Sequence, residues 1–137
     1  MPHIDRSSLM TLEEYARERP QFRTRVMAHK KDRTVPLGED VVLVFEDELT
    51  IRYQVQEMLR VERIFEESGI QEELDAYNPL IPDGRNLKAT MMLEYPDPDE
   101  RRKQLEELVG VENKVWIQAD ACERVWAIAD EDMERGN

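Results

Sequence analysis

"QVQEMLRVERIFEE", residues 54–67, decides how this chain folds, because its apolar residues recur at the period of a helix packed on a core. At about 100° per residue, Ile51, Val55, Met58, Val61 and Phe65 fall on one stripe, and Glu62 projects into the middle of it. Asp47 is placed to cap this helix and Glu48 to sit in its first turn, while Gly69 offers a stop. The expected element is a long central helix over 47–67.

The misplaced acid needs a partner. Glu57 has Arg60 three residues on, and Arg63 has Glu66 and Glu67, so those charges are neutralised within one helix. Glu62 has only Met58, Leu59, Phe65 and Glu66 around it. A buried, unpaired carboxylate costs several kcal/mol or takes up a proton, so a cation has to come from elsewhere in the fold. The segment 17–33, "RERPQFRTRVMAHKKDR", is the obvious supplier, with seven Lys and Arg residues against Glu18 and Asp32. Arg23 is the first candidate, beside the apolar Phe22 and Val26, followed by Arg25 and His29. Glu62 with Arg23 would then be a structural anchor between the N-terminal helices and the central one. The sharper alternative makes Glu62 or Glu57 a general base, with Arg60 or Arg63 holding an anionic substrate.

Working outward, Thr11 and Glu14 form a capping box, so a helix starts at Leu12. Pro20 disfavours the helical conformation of Arg19 but suits the first position of a new helix, which predicts two basic N-terminal helices, 12–19 and 20–31. "VPLGED", 35–40, reads as a turn, and "VVLVF", 41–45, as a strand buried on both faces. A short helix over "QEELDAYN", 71–78, runs into the loop "PLIPDG". "LKATMMLEY", 87–95, alternates apolar and polar residues like a half-buried strand. "DPDERRKQLEELVG", 97–110, is a further helix, and "KVWIQA" and "RVWAIA" are paired strands around "DACE".

Helices gathered in the first half and strands in the second predict an α+β fold, with the long helix lying across one small antiparallel sheet of 87–95, 114–119 and 124–129. A chain of 137 residues, 40% of them hydrophobic, is the size of one domain. Within residues 1–137 the parts are the basic helices at 12–31, the strand and central helix at 41–67, and the strands with one intervening helix at 86–130.

Composition narrows the function. A net charge of −12 argues against the phosphate binding that nucleic-acid proteins rely on, although the basic segment could dock an acidic partner or pack on the protein's own acids. The first residues lack a secretory leader's pattern, and "VVLVF" is too short to cross a bilayer, so a soluble cytoplasmic protein is expected. One cysteine and two histidines cannot build a structural zinc site, and neither histidine follows a glutamate at the spacing of a di-iron bundle. No nucleophile elbow, dinucleotide fingerprint or phosphate loop occurs. No metal or cofactor is expected, and the balance leans away from an enzyme.

"FEDELTIRYQVQEMLRVERI", "ELDAYNPLIP", "LKATMMLEY" and "IADEDMER" together resemble a family of uncharacterised bacterial proteins known as a domain of unknown function. The strings "QEMLR-x-ERI" and "YN-x-LIP" carry the resemblance. Members are often encoded beside a rubrerythrin and an iron–sulfur protein related to heterodisulfide reductase subunits. The resemblance therefore implies an accessory or adaptor role in peroxide or redox physiology, with those proteins as partners. Its pattern places Gln54, Glu57, Arg60, Glu62 and Arg63 on the central helix and Tyr77 and Asn78 in the next, a candidate binding surface. A small cofactor-independent enzyme or anion-binding domain using those Glu and Arg residues is the alternative. Members continue past the last motif with a strand-like segment. Its absence here would bare an edge at Val125, Ala127 and Ile128, making a homodimer an expectation, with Asp130, Glu131 and Asp132 limiting further growth.

Overall fold

The computed structural model describes residues 3–129, and the fold is α+β. The expected acidic guard at 130–132 lies outside the described residues. Where the sequence suggests one domain, the chain forms two compact units, Met1–Leu93 and Glu94–Asn137.

In the first unit, α1 runs unbroken over Leu12–Lys31 from the expected capping box, with Pro20 inside it. The predicted break at Arg19 is therefore corrected. Tyr15, Arg19, Phe22 and Val26 recur at helical spacing on both sides of Pro20, and Tyr15 and Val26 are fully buried. A break would have thrown the second half of this face out of phase with the first. Pro20 and Ala16 lie on the solvent side, where the Ala16 carbonyl freed by the missing N–H is open to water.

Strands β1 (Thr34–Leu37), β2 (Val41–Phe45) and β3 (Ala89–Leu93) form an antiparallel sheet in that order. The stretch read as a turn thus begins with an edge strand, where Pro36 is tolerated, and only Gly38, at φ 78°, turns the chain back. β2 is the central strand, but it is not buried on both faces: Val44 alone is buried. Val35, Leu43 and Met91 share one row, and Leu37, Val41 and Leu93 the next, with Val35 and Leu37 exposed.

The central helix α2 spans Glu48–Val61, six residues shorter at its C-terminal end than expected. Arg63 takes a left-handed conformation at φ 55°, the Ile64 amide bonds the Leu59 carbonyl at 2.9 Å and the Arg63 amide bonds the Arg60 carbonyl at 3.3 Å. These are the paired bonds of a Schellman stop, built here without glycine. Gly69 does not end α2; it lies inside α3 (Glu67–Tyr77), where a Cβ would meet the Ile64 side chain at 2.8 Å. Ile51, Val55 and Leu59 of α2, Ile70 and Leu74 of α3, Ile81 beyond, and Ile4 and Leu9 from the N-terminal segment make the apolar cluster.

The second unit contains α4 (Pro98–Glu107), capped by Asp97, and a separate hairpin of β4 (Trp116–Ile117) and β5 (Val125–Trp126). The pairing around "DACE" is as expected, but these strands do not join β3 in one sheet. The three-stranded sheet is completed from β1 and β2 instead.

Candidate functional site

Besides the bonds of Arg52 to the Ser8 carbonyl and hydroxyl, three polar assemblies tie α2 to the chain before it, all within the first unit. The innermost is Gln56, fully buried, whose Oε1 accepts from the Met10 amide at 2.8 Å and whose Nε2 donates to the Met10 carbonyl at 3.4 Å. An amide side chain supplies one acceptor and one donor edge, which is what an extended backbone segment requires.

The second assembly surrounds Glu57. Arg19 grips its carboxylate through two bonds of 2.9 Å, and the Tyr15 hydroxyl donates to Oε2 at 2.7 Å. The Arg19 hydrogen bonds, supported by Tyr15, outweigh burial and hold the Glu57 carboxyl down at about 2. Burial and the Glu57 carboxylate push the Tyr15 hydroxyl well above the usual phenol range. A carboxylate held so firmly ionised, with both oxygens occupied, is a poor proton acceptor and a good strut.

The third lies where α1 meets the start of α2. Asp47 Oδ1 accepts the Thr50 amide at 3.0 Å as helix cap, while Oδ2 accepts a hydrogen bond from His29 Nε2 at 2.6 Å and faces Arg33 at 3.5 Å. Burial opposes ionisation of Asp47, but the Thr50 amide, His29 and Arg33 outweigh it and keep the carboxyl below its ordinary range. An open cleft of about 670 Å³ adjoins this pair, bounded by Arg25 and His29 of α1, Asp47, Glu48 and Leu49, and Ile81 and Pro82.

The residues singled out by sequence fall elsewhere than expected. Glu62 is exposed at the C-terminal cap of α2, not buried, so neither the anchor with Arg23 nor a desolvated base at Glu62 is formed. Arg23 is also exposed, without an ion pair among the described residues. The early Schellman stop takes Phe65 out of the helical phase, and Val61 and Phe65 are exposed at 66% and 73%, as is Glu62 between them. Gln54 is half-buried and Arg60 exposed on α2. Arg63 lines a smaller cleft of about 360 Å³ with Phe65 and Glu66 at the α2–α3 joint. Tyr77 packs against the apolar cluster, and Asn78 holds the Ile4 backbone by bonds of 2.9 and 3.1 Å. Glu57, Arg60 and Tyr77 are not brought around a common void, since Glu57 is turned to α1.

The basic segment divides its work. Arg19 and Arg33 pair with the protein's own acids, and Lys30 lies over the Tyr53 ring at 5.5 Å. Arg17, Arg23, Arg25 and Lys31 remain exposed, with no ion pair among the described residues. Gln56 and the His29–Asp47 pair were missed as a site. Gln56 left a signal, a polar residue one step from Val55 on the buried side; the pairing of His29 with Asp47 left none, being a tertiary contact. Among the described residues no three His, Cys, Asp or Glu side chains converge as a metal site would need, and no helix is long and apolar enough to cross a membrane.

A family model described as "Protein of unknown function (DUF3501)" matches residues 3–137. A crystal structure of a novel protein of unknown function from Burkholderia pseudomallei K96243 is similar to this chain, with a TM-score of 0.87 and 54% sequence identity, covering 91% of this chain and 71% of that one. No curated protein matches. This chain belongs to the DUF3501 family of proteins of unknown function.

Proposed function

We propose that this protein is a non-catalytic accessory factor of the bacterial cytoplasm that docks an oxidoreductase partner, rubrerythrin-like or iron–sulfur, through its β4–β5 hairpin. The observation that carries this reading is the hairpin's surface. Trp116, Ile117, Val125 and Trp126 are 42%, 51%, 63% and 54% exposed, and Ile128 just beyond is 98% exposed. Exposed apolar groups gathered on one short element mark interaction surfaces, and tryptophan is among the residues enriched as their anchors. Arg124 lies 4.3 Å from the Trp116 ring centre and adds a charged rim. The locked Glu57 and the exposed Glu62 weigh against base catalysis on α2. The class of partner follows the family resemblance in the two motifs.

Both of the chain's tryptophans lie in this hairpin, so their emission reports on it alone. Titration with a purified rubrerythrin-like protein, and separately with a heterodisulfide-reductase-like iron–sulfur protein, is expected to give a saturable blue shift with one of them after subtraction of the partner's own emission. Trp126→Ser should weaken that binding by about tenfold or more. Unchanged emission with both partners sinks the reading. Self-association through the same hairpin is the competing outcome, and light scattering at rising concentration detects it.

A further inference from the structure

The cleft between α1 and the start of α2 has a charge left over. Asp47 is matched by His29 and Arg33, and Glu48, also on the wall, is gripped by Arg52 at 2.6 Å. Arg25 lies one helical turn before His29 on the same wall and makes no hydrogen bond or ion pair among the described residues. His29 spends Nε2 on Asp47, and its Nδ1 makes no hydrogen bond among the described residues. Since no buried side-chain nitrogen or oxygen lacks a partner, that ring nitrogen is reached by solvent. Leu49, Ile81 and Pro82 supply an apolar wall beside these two polar groups.

We propose that this cleft binds a small organic monocarboxylate, with its head on the Arg25 guanidinium and its hydrocarbon body against Leu49, Ile81 and Pro82. A planar guanidinium with free N–H groups matches a carboxylate. One unpaired cation balances one negative charge. A dianion would meet the Asp47 and Glu48 carboxylates on the same wall with nothing further to neutralise it. The apolar wall needs a ligand that brings carbon as well as charge. This site is distinct from the Glu and Arg surface expected on the central helix, its cation being Arg25 of α1. It is independent of the hairpin, and of which partner the hairpin docks.

The test is a titration of the full chain with hexanoate, inorganic phosphate and hexanol, followed by calorimetry and by the nitrogen resonances of the His29 ring. Hexanoate is expected to saturate, moving the His29 ring and the Ile81 methyl signals together. Phosphate, which lacks the body, and hexanol, which lacks the charge, should not saturate over the same range. Arg25→Gln should weaken hexanoate binding by about tenfold, the worth of a charge-assisted hydrogen bond. This side chain is exposed and unpaired, so the variant keeps its fold, as circular dichroism will show. The proposal is overturned if hexanoate fails to saturate, if hexanol or phosphate binds as well, or if Arg25→Gln leaves the affinity unchanged.

Discussion

Gln56 grips the Met10 backbone by its amide and its carbonyl at once, and this pairing fixes the N-terminal segment on α2. Asn78 does the same for Ile4. With these two clamps in place Ile4 and Leu9 enter the apolar cluster, and the Arg6–Glu67 and Arg52–Ser8 bonds hold the same segment from outside. Gln56→Leu keeps the volume but leaves both Met10 groups unsatisfied, and should cost about 2 kcal/mol in a urea titration. Because Asn78 restrains the same segment, Gln56→Leu with Asn78→Ala should cost less than the two single changes added together.

Glu57 sets part of the acid sensitivity. Its carboxyl is held at about 2 in the fold against 4.5 for the free side chain. The folded state therefore binds the proton more weakly, and the stabilisation from this group is fully present above 4.5 and is lost as pH falls toward 2. Glu57→Gln should flatten the decline in stability across that window while lowering stability at neutral pH. Urea midpoints measured at intervals from pH 6 to pH 2, an illustrative range of about that width, give both effects.

The folding class was legible because the elements announce themselves locally. The Thr11–Glu14 box, the Asp47 cap and the turn after Ala119 need only neighbouring residues, and each is present. What the sequence hid was tertiary. Arg19 meets Glu57 and His29 meets Asp47 across a gap of many residues, and nothing in the spacing of either pair records it. The continuity of α1 through Pro20 is of the same kind, because it is packing against α2 that overrides the local preference.

Glu62 shows the cost of reading period without its end point. On an unbroken helix it faces the core; one residue past the stop it faces water. Glu62→Ala should therefore change stability by no more than about 0.5 kcal/mol, as for an ordinary surface site, rather than by the larger loss of a broken buried ion pair. Thermal unfolding of this variant beside the parent protein decides between them.

The stop itself carries the last expectation. Arg63 occupies the left-handed position that helices usually give to glycine, at φ 55°, and an L side chain there crowds the following carbonyl. Its guanidinium makes no ion pair among the described residues, so nothing shown offsets that strain. Arg63→Gly should relieve it. The gain is reduced by the greater freedom glycine gives the unfolded chain, which leaves a net stabilisation of about 0.5 to 1 kcal/mol. Arg63→Ala separates the two contributions: it removes the charge but keeps the Cβ, and should give no gain. A rise in the urea midpoint with glycine but not with alanine would show that the conformation of this residue, rather than its charge, limits the junction between α2 and α3. Equal midpoints for both variants would mean that the left-handed turn is held without strain.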